Sequence, residues 1–96
     1  MPEIRFRVRW PDQSVTACYS PSRAIAAFLE AGQDYALADF VVRSRAGLQA
    51  ASERVREIYG APCGRAAAQL NVIEAAARHF AEQRDARILV ESVEPA

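Results

Sequence analysis

Residues 4–10 read IRFRVRW, a strict alternation of apolar residues with arginines. Because successive side chains of a β-strand point to opposite faces of the sheet, the apolar residues must share one face and Arg5, Arg7 and Arg9 the other. The apolar face requires a core to pack against. The arginine face requires carboxylates, a bound anion, a partner or water. The stretch therefore predicts a strand and raises the main functional question, which is what meets the arginines.

The charge composition excludes an overall electrostatic signature of nucleic-acid or membrane binding. The 96-residue chain carries 12 basic and 12 acidic residues, so its formal net charge is zero. Every basic residue is arginine and alanine is abundant. The GC-rich codons of a bacterial genome account for that bias better than a special role of arginine does. The length is that of one domain with one core, and we predict a single domain over residues 1–96.

Several classes of site and location are disfavoured by the residues present. Residues 1–19 carry charges without an apolar stretch, and no apolar run reaches the ~20 residues of a membrane span, so we expect a cytoplasmic protein with no membrane partner. Cys18, Cys63 and His79 are too few for a secreted disulfide framework or for a structural zinc site. We therefore expect no metal and no cofactor.

A second short strand follows the first across a turn. Residues 11–14 read PDQS and precede VTACY, which predicts a hairpin over the two strands. With Asp12 and Gln13 as a two-residue turn, Arg9 would face Thr16 and Arg7 would face Cys18. That register places Thr16 and Cys18 on the arginine face, and it leaves no aromatic residue there.

Helical patterns occupy the middle of the chain. Ser20 and Pro21 suit the start of a helix over about residues 21–30, and residues 33–38 then form a connector. A second helix is predicted from an N-cap at Asp39 to Tyr59, and a third over about residues 62–83. The short link between the last two predicts an antiparallel helical hairpin.

A third strand over residues 87–93 completes the order ββαααβ. The most apolar strand is the first, so we place it at the centre of a three-stranded sheet. The helical hairpin would cover one face of that sheet. The predicted fold class is therefore α+β, with two layers.

The arginine stripe is the first candidate site. Alternate residues of a strand lie about 6.5–7 Å apart, so Arg5, Arg7 and Arg9 could bind carboxylates or phosphates of a partner. They could equally form weak ion pairs with Glu3, Glu91 or Glu94 on a solvated face. The absence of an aromatic residue on that face argues against a platform for single-stranded nucleic acid.

Cys63 is the second candidate. It falls near the start of the third helix, where free N–H groups and Arg65 would stabilise a thiolate. A catalytic cysteine generally needs a base, and His79 lies more than about 20 Å away along the same helix. Cys63 therefore fits either a reactive thiol or a small residue packed at the helix junction. No catalytic set is visible beyond it.

Three segments carry a family resemblance: CYSPS at residues 18–22, FVVRSR at 40–45 and ASERVREIYG at 51–60. With them the chain resembles the short nitrogen-starvation response proteins encoded in bacterial nitrilase gene clusters. The resemblance implies a setting of nitrile or cyanide assimilation, beside a nitrilase, a radical-SAM protein, an acetyltransferase and a flavin-dependent oxidoreductase. It carries over no reaction and no catalytic residue.

These observations favour a small non-catalytic accessory protein of that pathway. Its expected partner is another protein of the same gene cluster or a second copy of the chain, bound through Arg5, Arg7 and Arg9. A thiol-dependent enzyme or carrier that uses Cys63 is the first alternative. A nucleic-acid-binding regulator that uses the arginine face is a weaker one.

Overall fold

A four-stranded antiparallel sheet with two α-helices on one face makes up the computed structural model, which describes residues 3–96. The elements are β1 (Ile4–Arg9), β2 (Val15–Ser20), a 3-10 helix (Arg23–Ala27), β3 (Asp34–Ala36), α1 (Leu37–Tyr59), α2 (Gly64–His79) and β4 (Arg87–Pro95). The predicted α+β class and its two layers are confirmed. The prediction of three strands and three helices is wrong, because residues 3–96 form four strands, two α-helices and one short 3-10 helix.

The strand order is β2-β1-β4-β3, so β1 has a neighbour on each side, as its apolar face predicts. The apolar residues of β1 and the Trp10 that follows it are all buried, with Phe6 and Val8 fully inaccessible. They pack in one cluster with Leu48 of α1 and Ile73 of α2. The core therefore lies between the sheet and the helices, and the arginines lie on the opposite side.

The fourth strand corrects the prediction of a connector over residues 33–38. β3 pairs with β4 and places Tyr35 opposite Ile88. Asp34 and Arg87 bridge the same two strands, with 3.0 Å between Oδ2 and Nε. The hydrogen bond from Arg87 lowers the pKa of Asp34. Three residues are too few to show an alternating pattern, so the sequence carries no periodic signal for this strand.

The β1–β2 register differs by one residue from the prediction. Arg9 pairs with Val15 and Arg7 with Ala17, because the loop holds three residues rather than two. Trp10 closes the loop by donating its N–H to the Ser14 carbonyl at 2.8 Å, and Gln13 adopts a left-handed φ of 72°. A left-handed third residue is typical of three-residue hairpin loops. The shift reverses the faces of β2.

The predicted helix over residues 21–30 is instead a single short 3-10 helix. Ser20 ends β2 and donates its hydroxyl to the Ser22 carbonyl at 2.8 Å. Ser22, not Ser20, caps the helix by accepting from the Ala24 N–H at 3.1 Å. Ile25 is fully buried, so this segment still contributes to the core.

The helix α1 begins two residues before the predicted cap. Its N-cap is Ala36, and Asp39 lies in the first turn, where it forms an ion pair with Arg43 at 3.0 Å. Gly60 ends the helix with a φ of 83°, as predicted. Since β3 leads directly into α1, no loop is left in which Asp39 could act as a cap.

The helices α1 and α2 form the predicted antiparallel hairpin. Ser52 accepts from the Cys63 N–H near the turn, and Arg45 pairs with Glu74 further along, which fixes opposite helix directions. Glu74 turns toward α1, where its carboxylate pairs with Arg45. Neither helix of residues 3–96 has the length and apolar character that crossing a membrane requires.

Candidate functional site

The candidate site is the outer face of the sheet, which neither α1 nor α2 covers. Arg5, Arg7 and Arg9 project from β1 on this side, as the alternation predicts. Their neighbours across β4 are Glu94, Ser92 and Leu89 in register. The face is therefore a mixture of charged, small and apolar residues around a central row of guanidinium groups.

Arg9 is held by contacts within the protein. Its Nε and a terminal guanidinium nitrogen each lie 2.7 Å from Oε2 of Glu91. A second terminal nitrogen donates to the Gln13 carbonyl at 3.0 Å. These three contacts tie the end of β1 to β4 and to the hairpin loop. Arg9 consequently has a structural role that the stripe pattern alone does not distinguish.

Glu91 reaches the arginines because of an irregularity in β4. The β1–β4 pairing shifts between Arg7 and Val8, so that Glu91 is an extra residue between the partners Val90 and Ser92. A bulge of this kind re-aims the side chain of the extra residue. It brings the Glu91 carboxylate beside Arg9 and within 3.8 Å of Arg7. Of the three carboxylates that the sequence offers as partners, the structure pairs Glu91 with the arginines, through a bulge that no sequence pattern shows.

Arg5 and Arg7 are the available cations of the face. The Arg7 side chain is 54% exposed and has only the 3.8 Å contact with Glu91. Arg5 is exposed, and no carboxylate within residues 3–96 comes within ion-pair distance of it. Arg5 therefore has no ion pair within residues 3–96 and Arg7 has one long contact, and both guanidinium groups are open to solvent.

Tyr19 lies on this face, although the predicted register places it on the apolar side. The corrected register puts it directly opposite Arg5, so an aromatic residue does share the arginine face. Its hydroxyl donates to Glu3 at 3.3 Å, and the Arg65 guanidinium lies 3.9 Å from the ring centroid. Burial, and secondarily the Glu3 charge, raises the pKa of Tyr19. The Arg65 guanidinium therefore covers one face of the Tyr19 ring.

Gln69 closes part of the β2 edge. Its Oε1 accepts from the Tyr19 N–H at 3.0 Å, which ties α2 to the edge strand. Together with the Arg65 contact, this bond anchors the start of α2 to the sheet. Because both contacts cross about fifty positions of sequence, no local pattern signals them.

Cys18 does not lie beside Arg7, contrary to the predicted register. It lies on the core face opposite Phe6 and is 2% exposed. Burial raises the pKa of Cys18 to about 12, so the thiol is neutral at ordinary pH.

Cys63 is the N-cap residue of α2, just before the helical position that the sequence indicates. It is partly exposed, its thiol makes no capping hydrogen bond, and its N–H is held by Ser52 at 3.1 Å. His79 is at the far end of the same helix. The geometry of residues 3–96 provides this thiol with no neighbouring histidine base.

Residues 3–96 contain no cluster of three or more His, Cys, Asp or Glu side chains that could hold a metal ion. What the fold and the site define is a small two-layer α+β protein with an uncovered, arginine-bearing sheet face.

The family follows from comparison of the whole sequence. Residues 5–93 match the family described as nitrogen starvation-induced protein NitG, so the chain belongs to that family. The match runs from β1 into β4 and therefore covers nearly the entire fold. No curated protein and no solved structure matches the chain significantly.

Proposed function

We propose that this protein is a non-catalytic accessory protein of the nitrogen-starvation response that binds another protein through the outer face of its sheet. The observation that carries the proposal is the pair Arg5 and Arg7, exposed side by side on a face that neither α1 nor α2 covers. Membership of the NitG family supports the nitrogen-starvation setting. We further propose a cytoplasmic role in nitrile or cyanide assimilation, with a partner encoded in the same gene cluster.

The chemistry of the two arginines favours an acidic partner surface. Each guanidinium presents planar donors that match a carboxylate with two parallel hydrogen bonds. Arg5 and Arg7 alternate along one strand, so their stems are about 6.5–7 Å apart. Two carboxylates at similar spacing would satisfy both. Ala17 is exposed on the edge strand β2 directly opposite Arg7, and its small side chain leaves room for close approach of a second backbone.

The same face argues against nucleic acid as the ligand. Glu91 sits among the arginines and Glu94 is directly opposite Arg5, so the face is not continuously positive. A phosphate backbone is bound by clustered cations, and these carboxylates would repel it. The Cys63 alternative is not favoured either, because the thiol has no neighbouring histidine.

The test compares two variants with the same change in charge. Arg5→Gln/Arg7→Gln alters the face, whereas Arg54→Gln/Arg56→Gln alters two exposed arginines near the end of α1. Tagged parent and variants would be used to capture proteins from nitrogen-starved cells at low and high salt. We expect a partner that the parent and the α1 variant retain, that the face variant loses, and that high salt weakens.

Stability and assembly measurements complete the comparison. The face variant should keep the free energy of unfolding within about 1 kcal/mol of the parent, because exposed ion pairs contribute little. Sedimentation would show whether the partner is a second copy of the chain. Equal capture by the parent and the face variant, together with equal assembly, would rule out this face as the docking surface.

A further inference from the structure

A concave surface lies on the helical layer, away from the arginine face. It is a groove of about 420 Å³ along the seam between the first half of α1 and the end of α2. Its volume falls within the range of small-molecule sites, roughly 300–1,000 Å³. The residues that line it are Leu37, Ala38, Val41, Arg45, Glu74, Ala77, Arg78 and Ala81.

The floor of the groove is apolar because small residues face larger ones across the seam. Leu37 and Val41 lie one turn apart on α1, and both are only partly buried in the core. Opposite them α2 and the turn after it supply Ala77 and Ala81. Alanine side chains do not fill the space between two helices, so an apolar channel stays open to solvent.

The charges of the groove are arranged asymmetrically. Arg45 and Glu74 form an ion pair across the seam at one end, with Nε 3.2 Å from Oε2. Arg78 lies one turn beyond Glu74 on α2, and no carboxylate of residues 3–96 is within ion-pair distance of it. The rim therefore carries two guanidinium groups and one carboxylate, which leaves one positive charge without a counterpart.

We propose that this groove binds a small aliphatic carboxylic acid. The carboxylate would pair with Arg78, and the hydrocarbon chain would lie on Val41 and Ala77. A charged amine would meet an excess of positive charge. A neutral alcohol of the same length would leave the Arg78 charge without a counter-ion. Only an anion with an apolar tail uses both the floor and the rim.

The proposal is tested by nuclear magnetic resonance titration of the labelled protein with hexanoate. Saturable shifts are expected for amides that border the groove, such as those of Val41 and Ala77. Hexanol should bind about threefold to fivefold more weakly and hexylamine more weakly still, because each lacks the pairing with the exposed Arg78 guanidinium. Equal binding of the three compounds, or shifts scattered over the protein, would overturn the proposal.

Two variants locate the site, and a third serves as a control. Arg78→Gln should weaken hexanoate binding about threefold to fivefold, and Ala81→Phe should abolish it by filling the channel without a change in charge. Arg54→Gln, on the exposed far half of α1, should bind like the parent. The spectra themselves report whether each variant is folded. Undiminished hexanoate binding in folded Arg78→Gln and Ala81→Phe would assign the shifts to another place and refute the groove.

Discussion

At the scale of single residues, Ser44 is a polar group placed where the core supplies no partner. It is fully buried, and its hydroxyl has no hydrogen-bond partner within residues 3–96. Burial of an unsatisfied hydroxyl costs about 1–3 kcal/mol, and alanine also favours a helix more than serine does. The sequence places Ser44 on the core face of α1 but does not show that its hydroxyl is left unpaired.

We expect Ser44→Ala to raise the free energy of unfolding by about 1 kcal/mol, measured by urea denaturation. Ser22→Ala is the matched control. Its hydroxyl caps the 3-10 helix at 3.1 Å, so its loss should lower stability by about 1 kcal/mol. A less stable Ser44→Ala would mean that the hydroxyl has a partner after all.

Cys18 should make the stability of the protein sensitive to alkaline pH. Burial raises the pKa of Cys18 from 9.0 to about 12, so the unfolded chain loses this proton at a lower pH than the folded protein does. The stability that the neutral, buried thiol contributes is fully present below pH 9 and is lost as pH rises toward about 12. Within that window the ionisation of Cys18 in the unfolded chain lowers the free energy of unfolding by up to about 1.4 kcal/mol per pH unit.

Cys18→Ala should therefore flatten the alkaline part of the stability profile, although it is less stable at neutral pH because it leaves a small cavity. Urea midpoints of parent and variant between about pH 8 and pH 10 measure the difference. Cys63→Ala is the control, since that thiol is partly exposed. Parallel profiles for the parent and Cys18→Ala would show that Cys18 titrates alike in the folded and unfolded chain.

At the scale of elements, the sequence predicts structure well wherever a periodic pattern is long. The alternation of residues 4–10 specifies β1 and its two faces, and apolar residues at helical spacing specify most of α1 and α2. The candidate site on the outer face is predicted from the sequence only in part. The alternation places the arginines on the outer face, but the bulge at Glu91 decides which of them remains available.

The predictions from sequence are wrong where the geometry depends on whether a loop holds one residue more or one fewer. The hairpin loop holds three residues, with Gln13 in a left-handed conformation that glycine or asparagine would have signalled. That single residue moves Tyr19 onto the arginine face and Cys18 into the core. The β3 strand and the groove arise from pairing and packing between distant segments, for which a single sequence provides no pattern.

The substitution Gly47→Ala tests the contact between α1 and the 3-10 helix. A Cβ at this position would lie 2.5 Å from the Cδ1 of Ile25 and 3.3 Å from a ring carbon of Phe28. Ile25 is fully buried and has little room to move. The clash, at about 1–3 kcal/mol, should exceed the gain of about 1 kcal/mol in helix propensity, so Gly47→Ala should lower stability.

The matched control for this prediction is Gly64→Ala. Gly64 is the first residue of α2, and an added Cβ there would meet nothing within 4 Å. This variant should gain up to about 1 kcal/mol in urea denaturation. Stabilisation of both alanine variants would contradict the prediction, because it would show that the 3-10 helix moves away from α1 to make room for a side chain at position 47.

At the scale of the whole molecule, the two proposed binding surfaces belong to different layers. Arg5 and Arg7 project from the outer side of the sheet, whereas the groove lies along the seam of the helices. The shared core of Phe6, Leu48 and Ile73 separates them. A protein bound to the sheet would therefore leave the groove open, and a small acid in the groove would not obstruct the sheet. Simultaneous occupancy is sterically possible.

That arrangement requires the two layers to fold as one unit, which Ile73→Ala tests. Ile73 is fully buried between α2 and the sheet, and its truncation should cost about 2–5 kcal/mol. Val72→Ala changes the neighbouring residue, which is 53% exposed, and should cost about 0.5 kcal/mol or less.

Urea transitions would be followed by circular dichroism for the helices and by fluorescence of Trp10, which stacks on Phe80 with 5.8 Å between centroids. Because the core joins both layers, the two signals should shift together in Ile73→Ala and still coincide. A fluorescence transition that stays in place while the helical signal shifts would show that the sheet holds its structure without α2.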